Sequence, residues 1–172
     1  GDGITRDSIG ERFRFGVAFG SASEYLRGEV SLGWGQQRPD DSRLGGVSGL
    51  LLDANLAYRM SALTTFLLTA NSDIVESFAP NANGGVERQF SLEARHAFKR
   101  HIIGSAATRL RTTEFDGTGL KEREYVNELG VEYFFNREVT LFGRYARTVF
   151  DTNAPGGDYT SDAVRIGMRI RK

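Results

Sequence analysis

From Leu50 the even positions read Leu50, Leu52, Ala54, Leu56, Tyr58 and Met60, and the odd positions read Leu51, Asp53, Asn55, Ala57 and Arg59. A period of two, with one apolar side and one mainly polar side, predicts a β-strand that meets a different solvent on each face. Ten such steps at about 3.3 Å, tilted by about 40°, rise roughly 25 Å, which is the height of the apolar band on an outer-membrane barrel. Ordinary globular strands are about half as long.

The same alternation predicts eight more strands. Phe13, Phe15, Val17 and Phe19 oppose Arg12, Arg14, Gly16 and Ala18. Leu26, Gly28, Val30, Leu32 and Trp34 oppose Arg27, Glu29, Ser31, Gly33 and Gly35. After the Leu50 stretch, Phe66, Leu68, Ala70 and Ile74 oppose Thr65, Leu67, Thr69, Asn71 and Asp73. Phe90, Leu92, Ala94, His96 and Phe98 then alternate with Gln89, Ser91, Glu93, Arg95 and Ala97. A weaker segment sets Ala106, Thr108 and Leu110 against Ser105, Ala107, Arg109 and Arg111. The last three have apolar sides Tyr125–Phe135, Val139–Tyr145 and Val164–Ile170, against polar sides carrying Glu128 and Glu132, Arg144, and Arg165 and Arg169.

No segment shows a helical period. Short connections at Gly20–Ser23, Met60–Leu63, Lys99–His101 and Asn136–Glu138 alternate with Gln36–Gly45, Ser77–Gly85, Asp116–Gly119 and Asn153–Asp158, which read as the longer loops. That asymmetry is the one expected of periplasmic turns and outer loops. Phe19, Tyr58, Phe66, Phe98, Tyr133 and Phe135 flank the short turns, and Trp34, Phe90 and Tyr125 stand toward the long loops. Two aromatic belts around an apolar band suit a membrane interface, whereas a soluble sandwich buries its aromatics near mid-strand.

The predicted fold is all-β: a transmembrane antiparallel up-and-down β-barrel over residues 10–172, with residues 1–9 an outer-loop remnant or disordered N-terminus. Bacterial single-chain barrels have an even strand number. Nine visible strands therefore read as part of a larger barrel, its C-terminal portion. The alternative is a closed eight-stranded barrel from Tyr25 onward, with Glu11–Gly20 as an extra strand.

Composition narrows the chemistry. The 22 basic and 22 acidic residues cancel, so no global field draws nucleic acid. Arg exceeds Lys by 19 to 3, which suits charges paired in a confined polar space; an Arg-favouring codon bias is the plain alternative. The absence of cysteine removes disulfides and thiolate chemistry. No apolar run reaches 18 residues, but barrel strands escape such a search because only alternate residues are apolar.

The polar sides carry the candidate site: Arg12, Arg14, Arg27, Glu29, Asp53, Asn55, Arg59, Asp73, Glu93, Arg95, Arg109, Arg111, Glu128, Glu132, Arg144, Arg165 and Arg169. Among them ten are basic and six acidic. They predict either a pore with a positive lining or a salt-bridge network that fills a small barrel. His96 and His101 offer little catalysis, because the nearby Ser105 has the opposite parity to His96. Asp40 and Asp41 read as a solvated loop, with calcium ligation as the alternative; Asp116–Gly119 reads as a turn rather than a phosphate cradle. No catalytic residue, metal or cofactor is expected. Leu52→Arg should be costly on the lipid side, and Leu51→Arg, one residue away, far less so.

Diffuse patterns in the chain resemble the putative β-barrel porin 2 family of proteobacterial outer-membrane proteins. They are Gly28-Glu29-Val30-Ser31-Leu32-Gly33-Trp34, the Leu63-Thr64-Thr65 turn, Asn136-Arg137-Glu138-Val139-Thr140-Leu141, and Val164-Arg165-Ile166-Gly167-Met168-Arg169-Ile170. The resemblance implies an outer-membrane location, contact with membrane lipids and lipopolysaccharide, insertion by the barrel-assembly machinery, and a setting of exopolysaccharide export. It brings no catalytic residues. The chain ends Ile170-Arg171-Lys172, without the terminal aromatic that the insertion machinery commonly reads. A polar, Arg-rich pore for diffusion or export of solutes, anionic polysaccharide among them, is the function expected. The alternative is a plugged anchor or adhesin whose long loops bind a partner.

Overall fold

In the computed structural model, which describes residues 8–20, 25–39, 46–75 and 84–171, every alternating segment is a strand. They are β1 (Ser8–Phe19), β2 (Leu26–Pro39), β3 (Val47–Arg59), β4 (Thr64–Val75), β5 (Gly84–Lys99), β6 (Ile102–Asp116), β7 (Lys121–Phe134), β8 (Val139–Thr152) and β9 (Tyr159–Ile170). They pair antiparallel in chain order to form one nine-stranded meander. Residues 1–7, Asp40, Asp41 and the Pro80-containing connection lie outside the described residues. Ser8 and Ile9, expected in the N-terminal tail, belong to β1.

Register keeps like with like. Leu32 faces Leu52, Phe90 faces Leu110, Leu129 faces Tyr145, and Tyr145 faces Val164. A slip of one residue on any strand would swap its faces, so the alternation itself fixes these pairings. The resulting sheet is inverted relative to a soluble one. Among the described residues the buried hydrophobics are only Val47, Leu51, Ala54, Ala70 and Ile74. Leu129 is 59% exposed, Val164 73% and Ile166 83%, all on the apolar face. An exposed apolar surface of this extent needs an apolar solvent or partner.

The sheet curls toward its polar face. Arg12 on β1 reaches Asp73 on β4 at 3.0 Å, and Arg14 reaches Asp53 on β3 at 3.9 Å. Strands three apart in a flat sheet are separated by about 14 Å, more than these side chains span without curvature.

The sheet is open. β1 and β9 each keep one unpaired edge among the described residues. They run in the same direction, so joining them would make a parallel ladder where the others are antiparallel. The alternative of an eight-stranded barrel is not adopted, because β2 has β1 on one edge and β3 on the other. Neither edge of β2 is therefore available to β9.

Two further expectations change. The strands are longer than the apolar band: 14 residues of β7 at about 3.3 Å, tilted about 40°, rise roughly 35 Å. The excess lies at the long-loop end. β2 runs on through Gln36 and Gln37, which pair with both neighbours, and β5 starts at Gly84. Loop asymmetry shrinks accordingly, and residues 117–120 alone join β6 to β7.

The second change concerns Leu51. Parity places it on the polar side, yet it is 1% exposed, packed with Val47, Ile74 and Val86. Ile74 and Val86 have lipid-side parity but join this cluster. The cause is a break in the β3–β4 ladder, whose pairing ends at Asp53 opposite Asn71. Beyond it the Ser72 hydroxyl donates to the Leu50 carbonyl at 3.0 Å, and the Ile74 N–H donates to the Asp73 carboxylate at 2.9 Å. These side-chain bonds replace the ladder and let Ile74 turn inward. Gly35 makes room, since a Cβ there would meet Leu51 Cδ1 at 2.9 Å and Ile74 Cδ1 at 3.2 Å.

Candidate functional site: the ion-paired polar face

Each polar-face arginine is held by strand register, which sets which carboxylates come within reach. Asp53, between Arg14 and the Asn71 amide, sits where β3 and β4 still pair. On the C-terminal half, Glu132 of β7 lies between Arg95 of β5 and Arg169 of β9, each at 3.8 Å. Its side chain is 15% exposed, the most buried partner in these ion pairs. Arg95 also meets Glu93 at 3.2 Å, and Arg144 meets Glu128 at 3.8 Å. Most of these separations are long and the arginines are partly exposed, so single pairs contribute little, about 0–1 kcal/mol. Glu132 differs because one carboxylate serves two cations in a half-enclosed position.

Three residues that matter here escape the sequence reading. Glu87 and Glu124 lie beyond the predicted strand limits and flank Arg111 at 3.9 and 3.8 Å, with Gln89 Oε1 at 3.5 Å. Continuing the alternation of β5 and β7 toward their loops would have found them. They matter because they offset the ten-to-six basic excess at the long-loop end. Phe142 is the third. It is an aromatic on the polar face, and the guanidinium carbons of Arg144 and Arg169 each lie 5.9 Å from its ring centre. Its ring lies over Gly167, where a Cβ would meet Phe142 Cζ at 2.6 Å.

Register places the remaining predicted positions on the polar face, but Arg27, Glu29, Arg59, Arg109 and Arg165 form no ion pair among the described residues. Asn55 faces Glu29 across the β2–β3 ladder. Four of these five are arginines and one, Glu29, is acidic, so among the described residues a net excess of unpaired positive charge lies toward the middle and short-turn half of the face.

The apolar face explains the histidines. His96 Nδ1 lies 2.8 Å from Thr64 Oγ1 and its ring meets Phe98 edge-on at 4.8 Å. His101 packs edge-on against Tyr133 at 5.3 Å. Both sit beside short turns, where Phe98 covers Gly104 next to a register shift in β5. Ser105 faces Arg95 on the opposite side from His96. Of the expected belt, Phe19, Tyr58, Phe98, Tyr133 and Phe135 are exposed at the short-turn edge, and Phe66 is half-buried. Trp34 is exposed and Tyr125 half-buried, while Phe90 stands six residues inside β5. Above it the apolar-parity face turns charged: Arg88 pairs with Glu114 at 3.8 Å, and Lys121 with Glu114 at 3.6 Å. This marks the outer limit of the apolar band. Asp116–Gly119 is a turn: the Asp116 carboxylate accepts the Gly117 N–H, Gly117 has φ of 85°, and the Asn153 amide donates to the Gly119 carbonyl at 2.8 Å.

An apolar outer face, an ion-paired inner face and a meander of long strands are the marks of a membrane barrel wall. Residues 1–172 match the family described as "Putative beta-barrel porin 2". The chain belongs to this β-barrel porin family. No match was found among curated proteins or solved structures. Family membership supports reading the open porin sheet as barrel wall.

Proposed function

We propose that this porin forms a passive polar channel through the bacterial outer membrane, with a positive zone in the short-turn half of its lumen. The observation that carries the reading is the opposition of faces. Ion-paired arginines and carboxylates line the side toward which the sheet curls, and 38–83% exposed side chains such as Leu92, Leu129 and Ile166 cover the other. Water-filled barrels have this arrangement. Arg27, Arg59, Arg109 and Arg165, which form no ion pair among the described residues, outnumber the likewise unpaired Glu29 and favour anionic solutes, acidic polysaccharide among them, by long-range attraction.

Conductance across planar lipid bilayers tests it. Stepwise channels should appear, and a salt gradient should give a reversal potential of anion-favouring sign. Properly folded protein that stays at the closed level would instead support an interior plugged by its ion pairs and an anchor or adhesin role. Glu132→Gln should move the reversal potential further toward anions, because Arg95 and Arg169 lose a shared counter-charge. The same change should lower stability by about 1–2 kcal/mol, less than for a fully buried pair because the arginines are partly exposed. An unchanged reversal potential in open channels would show that Glu132 does not face the conduction path.

A further inference from the structure

Arg144 and Arg165 face each other directly across the β8–β9 ladder, on the same polar face. Like charges directly opposite on a sheet are destabilising. Arg169 stands two rungs away on that face, opposite Thr140. Arg144 pairs with Glu128 and Arg169 with Glu132, and Glu132 is also engaged by Arg95. Arg165 forms no ion pair with any described residue.

The cluster is also shaped. Phe142, lying over Gly167, is a spacer with Arg144 and Arg169 5.9 Å from its ring centre. Along the rung of Arg144 the next positions are Gly130 and Ser105, which carry little bulk. A Cβ at Gly130 would meet Ser105 Oγ at 2.5 Å, so that hydroxyl fills the glycine's vacant side-chain space. Arg144 and Arg95 therefore stand on either side of these two small residues along the rung, and Arg165 stands on the far side of Arg144.

We propose that Arg144, Arg165 and Arg169 form a binding subsite for an oxyanion, a phosphate or carboxylate group carried by the permeating solute. The planar fork of arginine matches such groups through paired N–H donors, and an anion relieves the Arg144–Arg165 repulsion. The proposal deepens the channel reading and rests on this face being the lumen. Its ligand is the anionic group itself, whether free or borne on a sugar.

The test is titration of detergent-folded protein with inorganic phosphate at low ionic strength, followed by calorimetry. Heat-modifiable gel mobility confirms folding of each variant. Arg165→Gln should weaken phosphate binding about tenfold or more, the loss expected for one charge-assisted contact. Arg165→Lys should recover part of it, and Arg123→Gln, on the apolar-parity face, should change nothing. Arg165→Gln should also leave the unfolding midpoint unchanged or raise it, since it removes one of two facing charges. A lowered midpoint with unchanged phosphate affinity would overturn the proposal and make Arg165 a structural partner of another strand. Absence of saturable binding in the parent protein would overturn it as well. Galacturonate in place of phosphate distinguishes a sugar-borne carboxylate from a free anion. In bilayers, open channels that phosphate does not slow would reject the subsite and leave the channel reading intact. Phosphate binding without conductance would reject the channel and keep the subsite.

Discussion

Leu129→Arg should lower the stability of the bilayer-embedded protein by about 2–4 kcal/mol. Leu129 stands in mid-β7 on the apolar face, opposite Tyr145 and Ala106, and is 59% exposed. In water, replacing so exposed a residue would be nearly free, within about 0.5 kcal/mol. In a bilayer the guanidinium at mid-band must be drawn toward an interface or pull water inward, and that is the origin of the cost. Asn55→Arg supplies the comparison. Asn55 is exposed on the polar face, so an added charge there meets a hydrated interior beside Glu29. Urea-driven unfolding from lipid vesicles measures both. The single tryptophan, Trp34, is 54% exposed on the apolar face and reports transfer to lipid by its emission. Equal destabilisation by the two variants would mean that the inside–outside assignment is wrong.

Leu51→Arg should be at least as damaging, at about 3–5 kcal/mol, although parity alone assigns it to the polar side. The substitution places an unpaired charge in the one closely packed apolar cluster of the described residues, against Val47 and Ile74. An uncompensated buried charge carries a penalty of about 3–5 kcal/mol. Leu51→Ala separates packing from charge, with an expected loss of about 2–5 kcal/mol depending on how far the cluster collapses. Should Leu51→Arg prove as mild as Asn55→Arg in the same vesicle assay, the break in the β3–β4 ladder would not exist in the membrane. The earlier expectation of a cheap Leu51→Arg would then stand.

The candidate site was legible in part. Arg95, Glu132, Arg144 and Arg169 carry polar parity in segments whose alternation is unbroken, so their common face could be read from the chain. That Glu132 is the hub could not be read. Its two partners lie on strands two places away on either side, and only register and curvature bring them together. Glu87 and Glu124 were missed because strand ends are weakly marked where an aromatic belt suggests an edge. Phe142 was missed because an aromatic at polar parity has no local signal of purpose. Its role comes from Gly167, which faces it across the ladder.

The sequence by itself determined the nine strands, their order and which residues share a face. Those properties follow from a two-residue period and short connections, which are local. It also carried the family, which the whole-chain match confirms. Only the tertiary structure decided where the alternation yields. Ser72 and Asp73 bond to the backbone in place of the ladder and turn Ile74 inward onto Leu51. It likewise decided which charges neutralise one another and which, like Arg165, stand opposite their own kind. Pairing depends on distances between strands far apart in the chain, and no periodicity within one strand encodes them.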